Sequence, residues 1–270
     1  MTDTVEPARP TTFAAALARP KVVAIGCVLA LTGLGWAYLA LMIANATPSG
    51  SFWALLCRPA GVVTGTIDFV LLYLMWGAMV LAMMLPTAGP MMLTYAEIAE
   101  TAARKGEPIV SPFVLAAGYV AVWLGFAFEA AGTQAAFARV LLVAPAASTS
   151  LSGAIFLVAG LYQFTALKHA CLNKCQHPLP FFFANWTTRT RGVFRLGVRQ
   201  GLYCLGCCWA MMFLMFAVGA MNIIWMAVLG IVMTAEKMTT TDRFSRAVGA
   251  VLIAIGAALV LAEAAAWRSG

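Results

Sequence analysis

The sequence predicts an all-α protein, a polytopic bundle of about seven transmembrane helices, and three observations carry that prediction. Of 270 residues, 63% are hydrophobic and only 10% are charged, with a mean hydropathy of +0.90. Such a chain cannot clothe itself in an ordinary polar surface. Long charge-free runs recur, and the longest, Gln200 to Ala235, holds 36 residues. As one helix it would measure ~54 Å at ~1.5 Å per residue, against a hydrocarbon core of ~30 Å, so it must turn. Finally, fourteen of the seventeen Lys and Arg fall on one side when the spans are threaded alternately. A net charge of +7 would suggest nucleic acid in a soluble chain. Here the basic residues orient spans instead, and no nucleic-acid partner is expected.

Taken in order, residues 1–20 are polar, with Pro7, Pro10 and Pro20, and read as a disordered cytoplasmic tail. The rest, 21–270, reads as one helical membrane domain. Its first span covers about 22–44, because the apolar run Val22 to Ile43 is longer than the core of a signal peptide. The second covers about 66–86 and ends at Pro86, after which Glu97, Glu100, Arg104, Lys105 and Glu107 mark an interfacial helix. A third starts after Pro112, and a fourth runs from about 151 to 171. Residues 172–199 read as a loop on the headgroup layer, where basic side chains alternate with Phe181, Phe182, Phe183, Trp186 and Phe194. The fifth and sixth spans form a hairpin turning at Gly219 to Asn222, and the seventh covers about 247–266. With the basic residues inside, the N-terminus lies in the cytoplasm and the protein in a bacterial inner membrane.

Chemistry concentrates between residues 169 and 215. On a helix, Cys204, Cys208, Met211 and Met215 share one face, and Cys207 adjoins it. Cys171 and Cys175 repeat the one-turn spacing at the end of the fourth span, with His169 and His177 beside them. Met75, Met79 and Met83 form a second sulfur column on the second span. Thiolate and thioether ligands select soft metals, Cu(I) first, with Zn(II) suited where imidazole joins thiolate. The candidate ligands are therefore Cys171, Cys175, Cys204, Cys207 and Cys208, with His169 and the thioethers of Met75, Met79, Met83, Met211 and Met215. Lys168 and Arg199 are expected to favour the thiolates. Cys57 is solitary and unassigned, and Asp68 and Glu129 are acidic groups within spans.

Several of these residues fall into local patterns: Met83-Met84-x-Pro86 with Pro90-Met91; Tyr162-Gln163-x-Thr165 leading into Lys168-x-x-Cys171 and Cys175-x-x-Pro178; Gly201-x-x-Cys204-x-Gly206-Cys207-Cys208-Trp209; Met221-Asn222 before Trp225-Met226; and Glu236-Lys237. In these the chain resembles bacterial integral membrane proteins of unknown function that are predicted to bind metal. The resemblance spans roughly Met75 to Arg246 and implies a metal-binding membrane protein with these cysteines as ligands. It implies no reaction.

The reading that follows is a soft-metal protein that carries or delivers Cu(I) along a Met- and Cys-lined path. Its expected partners are the lipid bilayer, the ion and a metallochaperone or metalloenzyme under assembly. An enzyme is the less favoured reading. In that class a membrane thiol–disulfide oxidoreductase would use Cys204 and Cys207 as its C-x-x-C pair. A structural subunit without chemistry is the third.

Overall fold

The computed structural model describes residues 20–44, 65–143, 147–218, 223–239 and 241–269. Expectations for the N-terminal tail, for Cys57 and for the turn at Gly219 to Asn222 lie outside the described residues. The described residues form nine α-helices: α1 Pro20–Ala44, α2 Thr66–Arg104, α3 Pro112–Val143, α4 Ala147–Tyr162, α5 Ala166–Gln176, α6 Pro178–Ala184, α7 Thr190–Val218, α8 Ile223–Met238 and α9 Asp242–Ser269.

Ion pairs and hydrogen bonds at the helix ends show how the elements alternate. Lys21 at the start of α1 pairs with Glu97 near the end of α2, so the two run antiparallel. Ser150 at the start of α4 donates to Glu263 late in α9, while His169 of α5 faces Asp242 at the start of α9. At the same end, Gln176 of α5 donates to the carbonyls of Glu236 and Thr239, which close α8.

Among the described residues, five helices are long and apolar enough to cross a membrane: α1, α2, α3, α7 and α9. The bent pair α4–α5 makes a sixth if counted as one span. This differs from seven because α8 has 16 residues, ~24 Å at ~1.5 Å per residue, short of a ~30 Å hydrocarbon core.

Three boundaries also differ from the sequence reading. α2 does not stop at Pro86 but continues as one helix of 39 residues through Pro86 and Pro90. Proline at 86 removes the N–H that would bond the carbonyl of Ala82. The indole of Trp36 on α1 replaces it, donating to Ala82 O at 3.1 Å. Neighbouring helices can re-satisfy a freed backbone group in this way, so the helix survives its prolines. Residues 172–199 are not a loop either: they comprise the end of α5, all of α6 and the first ten residues of α7. Conversely, the fourth span is broken at Gln163–Thr165, where α4 and α5 diverge by 65°. The Thr165 hydroxyl caps the new helix by accepting from the Lys168 backbone N–H.

α7 is the central element. It packs against α3, α4, α5 and α8. Its approach to α3 is close because glycine meets glycine: a Cβ on Gly118 would lie 2.2 Å from Phe194 O, and one on Gly197 would lie 2.1 Å from Leu115 O. α2 packs on α1, α3 and α8. Between α2 and α7 long side chains bridge the space, among them Trp76 against Phe216 with ring centroids 5.0 Å apart.

Candidate metal centre

One turn and a half of α7 carries Cys204, Cys207 and Cys208, and all three are at most 2% exposed. Their sulfurs lie within 4.8 Å of one another, the Cys207–Cys208 pair at 3.3 Å. Two sulfurs bound to one ion at ~2.3 Å, the zinc–thiolate distance, can be at most ~4.6 Å apart. The triad therefore needs only small side-chain rotations to share an ion. The Cys207 thiol donates to the carbonyl of Cys204 at 3.2 Å, which turns its sulfur back along the helix.

α5 brings a fourth sulfur. Its Cys175 Sγ lies 4.0 Å from Cys207 Sγ and is only partly buried. α5 can come so near because residue 206 of α7 has no side chain: a Cβ there would stand 2.6 Å from Cys171 Sγ. Cys171 thus seats α5 on α7 while Cys175 reaches the triad. All six described cysteines are free thiols.

Polar groups converge on Cys204 from two helices, and a third supports one of them. Lys237 of α8 places Nζ 3.0 Å from Cys204 Sγ and donates to Thr87 Oγ1 of α2 at 2.5 Å. The Tyr119 hydroxyl of α3 lies 3.0 Å from the same sulfur and donates to Met84 O at 3.1 Å. The sequence reading assigned the cations near the thiols to Lys168 and Arg199, and the structure assigns neither. Lys168, fully buried, gives both Nζ contacts to the Glu236 carboxylate, at 2.8 and 3.0 Å. Arg199 donates to Asn185 and stacks on Phe181. Tyr119, Thr87 and Lys237 were missed because each comes from a different helix. The one sequence signal was a lysine beside a glutamate at the end of an apolar run.

Residues 73–259 match the model of the PpoB2 family, described as a copper chaperone. The chain belongs to this copper chaperone family. The matched region contains every thiol and thioether named above except Cys57. No curated protein and no solved structure matches the chain.

The remaining candidates take other places. His169 turns away from the thiols, its Nδ1 3.4 Å from Asp242 Oδ1. The physical reason is helical phase: two residues from Cys171 is 200° around α5, the opposite face. His177 is exposed beside the Asn173 carbonyl. Met75, Met79 and Met83 are buried along α2, and Met211 and Met215 along α7, in the same continuous core as the triad. Met211 Sδ accepts from Gln163 Nε2 at 3.0 Å, so the break between α4 and α5 points an amide at a thioether. Met83 packs instead towards Gly230 of α8.

Proposed function

We propose that the protein is a membrane-embedded Cu(I) chaperone that exchanges a cuprous ion with a partner through the thiols of α5 and α7. The observation that carries this reading is the graded exposure of four sulfurs. Cys175 is partly accessible and 4.0 Å from Cys207, which belongs to a triad closed off from solvent. An ion bound to a partner's thiolate can form a bond to Cys175 before its old bond breaks, then pass to Cys207 and the triad. Each step exchanges one copper–sulfur bond for another, and no electron moves. The thiols that bind lose their protons to solvent, since the thiolate is the ligand. A set of soft sulfurs without carboxylate favours Cu(I) over harder ions.

In this proposal the bundle sits in a bacterial inner membrane with its N-terminus in the cytoplasm. The one-sided distribution of basic residues supports that orientation, and it puts the end of α5 with Cys175 on the cytoplasmic side. Partners would be a cytoplasmic copper carrier or a metalloenzyme under assembly. The thioethers of Met75, Met79 and Met83 with those of Met211 and Met215 would line the ion's way through the core. Thioethers need no deprotonation and bind more weakly than thiolates, so such a column would pass an ion towards the cysteines.

The test is anaerobic loading of the purified full-length chain with Cu(I), with metal counted by mass spectrometry and ligands identified by X-ray absorption. Stoichiometric copper with sulfur neighbours near ~2.3 Å is expected, and a Cys204→Ser, Cys207→Ser, Cys208→Ser variant should lose it. Equal loading of that variant would overturn the reading. A chain that takes up no copper but loses thiols reversibly to an oxidant would be an oxidoreductase instead. Neither behaviour would leave a structural subunit.

A further inference from the structure

The last turn of α8 buries two opposite charges side by side, and they are satisfied differently. Glu236 is 2% exposed, and both of its carboxylate oxygens are taken by Lys168. Lys237 is 9% exposed, and its ammonium contacts Thr87 Oγ1 and Cys204 Sγ. Its sequence neighbour is therefore not its counter-ion. A buried ammonium is costly unless it is paired, and more so at membrane depth. The group against Nζ that can carry negative charge is a sulfur of the metal site. Tyr119 also reaches that sulfur, but its hydroxyl, which also bonds the Met84 carbonyl, brings no positive charge. Among the described residues, Lys237 is the cation in contact with the triad.

We propose, building on the copper reading above, that Lys237 is the built-in countercharge of the site. It is a positioning residue whose ammonium holds Cys204 towards Cys207 and Cys208 and offsets the negative charge of the loaded cluster. Cu(I) on two thiolates leaves one net negative charge, and on three it leaves two, all in a pocket closed to water. One ammonium at contact distance cancels one of these. It need not leave when the ion arrives, because a metal-bound sulfur keeps lone pairs that accept an N–H. Thr87 fixes the ammonium from α2, and the Lys168–Glu236 pair fixes the same turn of α8 against α5. Helices α2, α5 and α8 are thereby registered around one sulfur. Groups that hydrogen-bond to metal ligands in this way are typically worth 10–100-fold in metal affinity.

The alternative is that Lys237 only clamps α8 to α2 through Thr87, and a double-mutant cycle separates the two. Lys237→Gln and Lys237→Arg are made in full-length protein, each with Cys204 intact and with Cys204→Ser. Cu(I) affinity is read by competition with a chromophoric cuprous chelator, and thermal unfolding of the metal-free protein controls for folding. K237Q should weaken Cu(I) binding by about 10–100-fold, K237R should restore most of the loss, and K237Q should cost clearly less once Cys204 is serine, when its contact sulfur is gone and the cluster carries less charge. Wild-type affinity in folded K237Q would overturn the proposal. So would losses from K237Q and C204S that simply multiply, since non-interacting sites are additive. Should K237Q fail to fold, Lys237→Met takes its place in the same cycle: weakened Cu(I) binding that shrinks when Cys204 is serine supports the countercharge, and wild-type affinity overturns it. A wild-type chain that takes up no Cu(I) would instead remove the copper reading itself.

Discussion

α2 and α7 each bury a column of sulfur, and only one of them is surrounded by polar groups. Along α7, Cys204 meets an ammonium and a phenol, Cys207 meets Cys175, and Met211 accepts from Gln163. Along α2, the sulfurs of Met75, Met79 and Met83 are buried in the apolar core and carry no hydrogen bond among the described residues. Both columns are equally buried, so burial does not distinguish a ligand from a packing residue. Convergent polar groups do, because a polar atom in an apolar core is costly unless it serves a partner. In the proposed function this difference would put tight binding on α7 and passage on α2.

The hardest way to break this contrast is to remove the thiols. Replacing Cys204, Cys207 and Cys208 together by serine should abolish stoichiometric copper while the metal-free chain keeps its helical circular dichroism. Replacing Met75 and Met79 together by leucine should leave the bound stoichiometry at the wild-type value. Equal losses in the two variants would erase the distinction.

A second large effect is expected where charge, rather than sulfur, holds α5 and α8 together. Glu236→Ala strands the buried Lys168 ammonium and should cost about 3–5 kcal/mol in unfolding experiments in detergent. The paired change Lys168→Met, Glu236→Leu should recover most of it, because an apolar pair of similar volume avoids desolvating either charge. If E236A is as stable as wild type, the pair does not register the helices around the metal centre.

Glycine substitutions sharpen the comparison at intermediate cost. Gly206→Ala would place a Cβ 2.6 Å from Cys171 Sγ, a side-chain atom that can swing aside. It should cost about 1–3 kcal/mol, a usual overpacking penalty. By lifting α5 it should also slow copper transfer from a partner more than it weakens retention by the triad. Gly118→Ala meets the Phe194 backbone carbonyl at 2.2 Å, which cannot swing, and should destabilise more than G206A without selectively affecting transfer. Transfer kinetics and thermal unfolding of the two variants, measured side by side, check the ordering.

The smallest stability effect is expected from Met75→Leu, Met79→Leu itself, under about 1.5 kcal/mol because the volumes nearly match. Its readout is the rate at which the cysteines load with copper in membranes. Slower loading supports the thioether route, whereas a wild-type rate reduces the α2 column to packing.

Composition and periodicity alone determined the helical, apolar character of the chain, the approximate places of its long helices and the clustering of thiols near residues 171–208. Those are local properties: one-turn spacing puts Cys204 and Cys208 on one face whatever surrounds them, and a charge-free run of 36 residues must bury itself. The sequence misled where a neighbour compensates a local rule. Pro86 did not end α2 because the Trp36 indole, 46 positions from Ala82, takes over the hydrogen bond to the Ala82 carbonyl. Residues 190–199 joined α7 although their charges suggested a loop, since Gly197 lets that turn pack directly on α3. Only the tertiary structure decided which cation serves which anion. Lys168 lies three residues from Cys171 in sequence yet is spent on Glu236, whereas Lys237, 33 positions from Cys204, reaches its sulfur. Pairing in a low-dielectric interior depends on which side chains share a depth and a facing direction in the packed bundle, and sequence separation carries no information about either.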